Sequence, residues 1–462
     1  MKEKARLCYI IPQTFLINAD FDVLRFHLSK SVTIEKMFTF SGKMFLGRGL
    51  KQNKPIPTSS LVLIASRASP ASDHMVEVVN YHGVDSQIED TFANMSKGIN
   101  VTIKRIPQHI LLKNITNWNF IKLNAEQLGF YESYTQNSDD FSNYYVHTSA
   151  RPKFNSTFIF DGGYSIDEKK FLLTPPLAQP YYQRPKLNSK YWSIKQSQGY
   201  WPNERIEGHP MYIDLRQGNQ GYSFLDSQYK VIWSYNATDK FFYTDEPIIW
   251  ARNTMLGIAS NNRLEILYLF AILNSKVTKY ILNTFVKIDQ EDTRTILVSL
   301  QIVKKQLRVP RITGENELIK ETIIKQVEEL LTSESKTLSD FVDFSAIMMQ
   351  RFDDVQVSGN TLVLIHGNRK TELPINGDSK LIADTITQKF GTEELKLETR
   401  NITLSELRDL QVIDFEKQAK LKDYIDDLVF ALYFNIPLKE VSLDKAEDIR
   451  KACSTSKYYD IL

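Results

Sequence analysis

The sequence predicts a mixed α/β protein in which a partial, Rossmann-like sheet precedes an irregular β-rich domain and a small α+β domain. Three observations predict this class. Apolar strand candidates surround an amphipathic helix in roughly the first hundred residues. Periodicity then fades as Pro, Gly, Asn and Ser rise, and amphipathic helices return near the C-terminal end. Because 462 residues exceed one ordinary domain, we predict domains at 1–105, 106–312 and 313–462.

The first domain is predicted to contain four strands and one helix. Leu7–Ile11 and Leu61–Ala65 are continuous apolar runs, which are typical of buried strands. Ile34–Phe40 and Met75–Tyr81 are further strand candidates, and Asp22–Lys30 has the apolar spacing of a helix. These units are too few to close a doubly wound sheet, so the sheet is expected to be partial.

The later elements are predicted from shorter patterns. Ser156–Phe160 and Lys230–Ser234 indicate short strands of an irregular domain. The charged tail after Ile436 is expected to be weakly ordered. The remaining candidates are helices at Leu264–Phe285, Glu315–Leu331, Phe341–Phe352 and Leu421–Phe434, and a strand at Asn360–His366.

Composition excludes several classes of protein. The formal charge of +2 is nearly neutral, so contact with nucleic acid would need local patches of charge. Two cysteines, Cys8 and Cys453, are too few for a disulfide framework or a zinc ribbon, and they fit a reducing cytoplasm. No apolar run is long enough to cross a bilayer or to form a signal-peptide core. A cytoplasmic protein without membrane partners is therefore expected.

Catalytic motifs of the common metal and phosphate chemistries are missing. The seven histidines form no pair at metal-ligand spacing, so no metal site is predicted. No phosphate-binding G-x-x-x-x-G-K occurs. Glu168-Lys169-Lys170 and Asp414–Lys417 contain the residue types of a nuclease centre in the wrong order or on a predicted helix. A solvated charged surface explains both better.

Residues 181–216, the basic–aromatic segment, interleave cations with Tyr and Trp. Cations suit phosphates, Arg suits base edges in the major groove, and aromatic faces suit unstacked bases. Two other interpretations stay open: a loop packed on its own domain, and a protein–protein interface with the same composition. The residues predicted to contact DNA are Arg184, Lys186, Lys190, Tyr191, Trp192, Lys195, Trp201, Arg205 and Arg216.

Short motifs recur in a fixed order along most of the chain. Cys8–Leu16 contains Ile-x-Pro-x-x-Phe-Leu, and Leu24–Leu28 contains Leu-Arg-x-x-Leu. These motifs resemble those of adenine-specific DNA methyltransferases of restriction–modification systems, in which the first follows an Asn-Pro-Pro-Tyr turn and the second lies on a helix. Because the motifs occur in the same order as in that family, each match supports the others. The other matches are Met44-Phe45, Thr58–Ile64, Leu269–Tyr280, Val309–Ile312 and Asp423–Tyr433, the last three in the TaqI-like specificity region.

The resemblance implies a reaction and a division of labour. The reaction is methyl transfer from S-adenosylmethionine to the adenine amino group of double-stranded DNA. Phe45 would stack on the flipped adenine, and residues 106–312 would be the target-recognition domain. The glycine-rich turn and the Asn/Asp-Pro-Pro-aromatic turn are absent; Asp161–Tyr164 and Thr174–Leu177 do not match them. The cofactor is therefore expected to bind mainly on a partner subunit, and this chain alone is expected not to methylate.

Three alternatives remain at this stage. The chain could be a non-catalytic DNA specificity subunit of a restriction–modification complex, which would tolerate the loss of Phe45. It could be a nuclease subunit with an unrecognised metal site. It could also be a truncated, inactive product, for which an exposed, unfinished sheet edge would be a sign.

Overall fold

The computed structural model describes most of the chain apart from residues 41–59, which include Phe45, and much of the stretch from 142 to 297. The described residues are 5–40, 60–83, 85, 88–141, 147–149, 158–160, 164–165, 178–179, 184–185, 187–194, 200–201, 212–214, 227–234, 240–246, 255–286, 298–391 and 401–462.

The N-terminal part is built on a five-stranded sheet. All neighbouring strands are antiparallel except Thr33–Phe40 and Met75–Tyr81, which are parallel. Helices Asp22–Ser31, Ile88–Ser96 and Gln108–Lys113 connect or follow the strands. In spatial order the strands are Arg6–Pro12, Ser60–Ser66, Thr33–Phe40, Met75–Tyr81 and Val101–Pro107.

The four strands and the helix predicted here are confirmed, with ends that shift by at most one residue. The strand Val101–Pro107 was not predicted, because Lys104 and Arg105 interrupt its apolar alternation. The sheet mixes parallel and antiparallel pairs, and its membership of the doubly wound class stays a prediction.

The middle of the chain contains small antiparallel sheets and a buried helix. Helix Arg263–Asn274 is buried almost all round and lies against strand Tyr229–Ser234. The predicted single helix Leu264–Phe285 is wrong in one respect: it divides at Ser275, whose extended backbone and hydroxyl cap the next helix, Lys276–Ile281. The main four-stranded sheet has the order Phe242–Thr244, Tyr229–Ser234, Met255–Ser260 and His147–Ser149.

Further short elements complete this region. Helix Ala125–Gln136 begins with a capping box at Asn124. A π-helical turn at Leu282–Val286 and helix Leu300–Gln306 follow. The short strands are Ser138–Asp140, Phe158–Phe160, Tyr164–Ser165, Ala178–Gln179, Arg184–Pro185, Tyr200–Trp201, Tyr212–Asp214 and Arg308–Pro310.

Two long helices flank, in the sequence, a module that has a small core of its own. Helices Glu317–Glu334 and Phe415–Phe434 pack on each other and on Arg263–Asn274, within the core that also includes the N-terminal sheet. Between them, residues 336–391 and 401–413 form an inserted module with its own apolar core. Its elements are Leu338–Asp340, Arg351–Phe352, Asp354–Ser358, Thr361–His366, Arg369–Pro374, Ser379–Phe390, Ile402–Thr403 and Leu404–Arg408.

Two predictions for the C-terminal part are wrong. The helix predicted at Phe341–Phe352 does not form, because the Asp343 carboxylate accepts the Ser345 N–H and closes a turn that competes with a helix. The tail is ordered: helix Ala446–Ser454 buries Ile449 and Cys453. No helix in the described part of the chain is long and apolar enough to cross a membrane.

Candidate nucleic-acid interface

The two described residues that flank the segment with Phe45 are held by one side chain of the N-terminal sheet region. Phe45 itself lies outside the described residues, but Phe40 and Ser60, on either side of the gap at 41–59, are described. The buried Gln13 amide donates to the Phe40 carbonyl at 2.7 Å and to the Ser60 carbonyl at 2.8 Å. Gln13 therefore ties together the two strand ends between which residues 41–59 lie in the sequence.

Gln13 occupies this place because Pro12 ends the first strand and a single 3-10 turn, Gln13–Leu16, follows. The turn buries Phe15 and Leu16 and points the Gln13 side chain at the ends of the neighbouring strands. The Gln13 Oε1 atom is buried and has no hydrogen-bond partner. The amide is thus held by its two donor bonds alone.

Replacing Gln13 with glutamate is expected to destabilise the protein more than replacing it with alanine. Alanine leaves two buried carbonyls without donors, at a cost of about 1–3 kcal/mol in the free energy of unfolding. The nearly isosteric glutamate places a carboxylate against the same two carbonyls and adds repulsion. Urea unfolding measures both variants, with exposed Thr14→Ala as the control. Equal stability of Gln13→Glu and wild type would contradict the role of the amide.

Arg25 joins the same turn to a distant part of the chain. Its guanidinium is fully buried and donates to the carbonyls of Phe15, Asn18 and Ile115, and it pairs with Asp22. The five N–H donors of an arginine in a fixed plane can satisfy several acceptors at once. Arg25, the arginine of the Leu-Arg-x-x-Leu match, therefore holds the motif segments together and is not available to DNA.

The basic–aromatic segment is described at residues 184–185, 187–194, 200–201 and 212–214. Arg184 pairs with Trp201 in a short two-stranded ladder, and nothing is described of their side chains. Lys190 is exposed, with its ammonium 4.6 Å from the centre of the Phe415 ring and 6.0 Å from that of Tyr191. The predicted contact residues Lys186, Lys195, Arg205 and Arg216 lie outside the described residues.

Trp192 anchors the segment to the main core. Its ring meets Phe270 edge to face at 6.0 Å, and the Lys240 ammonium lies 3.4 Å from the ring centre. Lys240 is itself buried and donates to the Ser189 carbonyl at 2.8 Å. A role for Trp192 in contact with DNA stays a prediction, since its ring already packs against these two partners.

Glu334 fixes the backbone of the segment. Its carboxylate is fully buried and accepts the N–H groups of Trp192 at 2.6 Å and of Ser193 at 2.9 Å. Burial raises the pKa of Glu334, and the two backbone donors oppose that rise. Ser193 also forms a parallel bridge with Tyr243. The segment is therefore attached at residues 192–194 both to a long helix and to the middle sheet.

A cleft of about 580 Å³ separates this anchored stretch from the inserted module. Tyr191 and Phe415 give it aromatic walls on one side, and helix Ser379–Phe390 lies on the other. Its lining includes two lysines, Lys190 and Lys389, and three carboxylates, Asp384, Glu406 and Asp409. The carboxylates outnumber the lysines in this lining, and contact of Lys190 with a DNA phosphate stays a prediction.

The described residues offer no candidate metal centre. Among them, no group of three or more His, Cys, Asp or Glu side chains could hold a metal ion.

Sequence reasoning missed Gln13, Arg25, Lys240 and Glu334. Glu334 left a signal: it follows Val327 by seven residues and Leu330 by four, on the buried stripe of its helix. A carboxylate in such a position predicts a buried partner. Arg25 left no such signal, because the buried residues of helix Asp22–Ser31 are Arg25 and Ser29 and form no apolar stripe. Gln13 and Lys240 gave no local signal.

Comparison with known proteins gives no match to a family model or to a curated protein. Among solved structures, the chain is similar to a type IIL restriction–modification enzyme, MmeI, in complex with DNA (10% identity, TM-score 0.37, 97% of this chain and 50% of that one). It is also similar to an ATP-dependent type ISP restriction–modification enzyme, LlaBIII, bound to DNA (11% identity, TM-score 0.32, 98% of this chain and 33% of that one).

The type IIG restriction endonuclease BpuSI is a third such structure (11% identity, TM-score 0.28, 94% of this chain and 48% of that one). The chain thus spans between a third and a half of the length of these three enzymes. Similarity at these TM-scores carries no conclusion about function, which has to be argued from the chain's own residues.

Proposed function

We propose that the chain is the DNA-recognition half of an adenine-specific DNA methyltransferase in a restriction–modification system. The reaction is transfer of a methyl group from S-adenosylmethionine to the adenine amino group of double-stranded DNA. The glycine-rich turn and the Asn/Asp-Pro-Pro-aromatic turn, which bind the cofactor and the target amino group, come from a unit outside this sequence, for which a partner subunit is the source we propose.

The observation that carries the proposal is the Gln13 contact. Two separate pieces of the resemblance meet there, the Ile-x-Pro-x-x-Phe-Leu stretch and the strand that begins at Ser60. The third partner is Phe40, the last described residue before the segment that includes Phe45. Arg25, from a third piece, binds the same turn through the carbonyl of Phe15. Motifs that are spread over more than fifty residues of sequence thus form one small unit at Phe40 and Ser60, the described residues that flank the segment with Phe45.

The proposed assignment of roles follows from this unit. Phe45 stacks on the adenine that leaves the duplex, since an aromatic face replaces part of the stacking that the base loses. Cations of the basic–aromatic segment bind phosphates, and its Arg residues face base edges. The attachments of Trp192 and Ser193 to Glu334 support this role, because a recognition segment needs a fixed position on its scaffold.

Replacing Phe45 with alanine is expected to reduce methylation about tenfold or more, because stacking on one base is worth about 1–3 kcal/mol. Transfer of a radiolabelled methyl group from S-adenosylmethionine to duplex DNA measures it, in the presence of the product of the gene directly upstream. Phe92→Ala removes an exposed phenylalanine elsewhere and is the control. Unchanged turnover by a folded Phe45→Ala protein would overturn the role of Phe45 and favour a non-catalytic specificity subunit.

A further inference from the structure

We infer that Phe415 is a positioning residue for Lys190: its ring holds the lysine ammonium where that group binds one phosphate of the DNA backbone. The inference rests on the proposed function. It gives one cation of the basic–aromatic segment its ligand, and it gives that cation a partner more than two hundred residues away in the sequence.

Lys190 lies in a turn whose backbone is held in place by hydrogen bonds. The Tyr191 N–H donates to the Asn188 carbonyl at 3.0 Å, and the Lys190 N–H donates to the side-chain oxygen of Asn188 at 3.1 Å. An asparagine at the first position of a turn commonly makes such a bond to the backbone two residues further on. The buried Lys240 ammonium donates to the carbonyl of Ser189, between them. The backbone at Lys190 therefore has a defined position.

The residues that follow the turn attach it to two larger elements. Besides the bonds of Trp192 and Ser193 to Glu334, the Tyr243 N–H donates to the Trp192 carbonyl at 2.9 Å. The Ile194 N–H donates in turn to the Tyr243 carbonyl at 2.9 Å. The base of the turn is thus fixed both to a long helix and to the middle sheet.

The side chain of Lys190 is long and flexible, and Phe415 restricts it. The ammonium lies 4.6 Å from the centre of the Phe415 ring, which is within the range of a cation–π contact, and 6.0 Å from the centre of the Tyr191 ring. A ring attracts an ammonium without neutralising its charge, so the N–H donors stay available to an anion. The contact therefore narrows the position of the charge and leaves the charge itself in place.

The ring of Phe415 is held by the same helix as the turn. Phe415 is the first residue of its own helix, which the Asp414 side chain caps. The Gln418 amide donates to the Ser333 hydroxyl at 3.1 Å, and Ser333 directly precedes Glu334 in the sequence. Phe415 is 40% exposed, so burial in the core does not account for its place here. Both sides of the contact therefore depend on neighbouring residues of one helix.

A phosphate is the ligand that suits a lysine held in this way. The ammonium is a compact point charge with three donors, which binds phosphate oxygens but lacks the fork with which arginine recognises planar groups. Contacts to phosphate fix the position of a protein on the duplex. A cation that is fixed before binding also loses less conformational freedom when DNA binds. Lys190 therefore sets the register of the segment on the DNA backbone.

The lining of the cleft offers a competing account. Asp384, Glu406 and Asp409 of the inserted module line the cleft together with Lys190, and in that account these carboxylates keep the lysine away from DNA. The two accounts differ in the salt dependence of DNA binding. Only a lysine that meets a phosphate releases a counterion from the DNA and contributes to that dependence.

A double-mutant cycle on duplex DNA, with the purified chain at two salt concentrations, tests the inference. Lys190→Met is expected to weaken binding to all duplex sequences alike and to reduce the slope of log affinity against log salt by about one. Phe415→Leu is expected to weaken binding about two- to fivefold, as the loss of an exposed cation–π contact would, but to have no effect in the Lys190→Met background. Phe415→Tyr keeps the ring and should bind like the wild type. Lys420→Met, at an exposed cation on the same helix, is the control for net charge.

A slope that Lys190→Met does not change would overturn the inference and favour the competing account. Equal losses from Phe415→Leu with and without Lys190 would overturn it too, since the ring would then act through another group. Urea unfolding of each variant shows whether it is folded under the conditions of the titration. If the wild type binds DNA and the two losses are additive, only this inference fails; if the wild type does not bind, the proposed function fails as well.

Discussion

Replacing Arg25 with alanine is expected to lower the free energy of unfolding by about 3–5 kcal/mol, the cost of breaking a buried charged network. The guanidinium is fully buried and supplies donors to three carbonyls and to Asp22. Alanine leaves those acceptors unpaired and opens a cavity between the first helix and residues 115–116. Urea unfolding followed by circular dichroism measures the change.

Arg25→Lys and Lys30→Ala are the matched controls. Lysine keeps the charge but has no planar set of five donors. The free energy of unfolding of Arg25→Lys is therefore expected to lie between those of the wild type and Arg25→Ala. Lys30 is exposed on the same helix, and its replacement is expected to change stability by less than about 0.5 kcal/mol. An Arg25→Ala protein as stable as Lys30→Ala would show that the network does not hold the turn.

Replacing Glu334 with alanine is expected to lower the free energy of unfolding by about 2–4 kcal/mol and to weaken DNA binding as well. Two buried N–H groups, those of Trp192 and Ser193, lose their acceptor, and each unpaired group costs about 1–3 kcal/mol. Affinity falls because the basic–aromatic segment loses its attachment to helix Glu317–Glu334. Urea unfolding and a DNA titration measure the two effects.

Glu334→Gln separates the hydrogen bonds from the side-chain volume. The amide of glutamine keeps one acceptor oxygen and turns its NH₂ group toward the second N–H. Glu334→Gln is therefore expected to lower the free energy of unfolding less than Glu334→Ala does. Glu329→Gln on the same helix changes a carboxylate at the surface and is the control. If Glu334→Ala destabilised the protein but left DNA affinity unchanged, the anchored stretch would have no part in recognition.

Local sequence patterns predicted the helices and strands of this protein, but they did not predict its side-chain contacts. Continuous apolar runs identified strands such as Ser60–Ser66, and spacing identified helices such as Glu317–Glu334, because both signals depend on neighbours in sequence. The division at Ser275 and the turn at Asp343 were missed, since single side-chain hydrogen bonds decide them. Apolar patterns do not register such bonds.

The candidate site depends on contacts that no local pattern contains. Arg25 binds a carbonyl ninety residues away at Ile115, and Glu334 binds N–H groups more than one hundred and forty residues away. The resemblance identified Leu-Arg-x-x-Leu without giving the partner of the arginine. Composition identified the basic–aromatic segment, but it did not separate Trp192, which packs on the core, from Lys190, which is exposed.

The most direct test of the central claim is a titration of duplex DNA with the purified chain at 50 and 200 mM salt. If two or three of the segment's cations meet phosphates, affinity should fall by roughly ten- to fortyfold between these concentrations. Adding the product of the upstream gene should strengthen sequence preference and start methylation. Binding that does not change with salt, or no binding under any of these conditions, would contradict the claim that this chain recognises DNA.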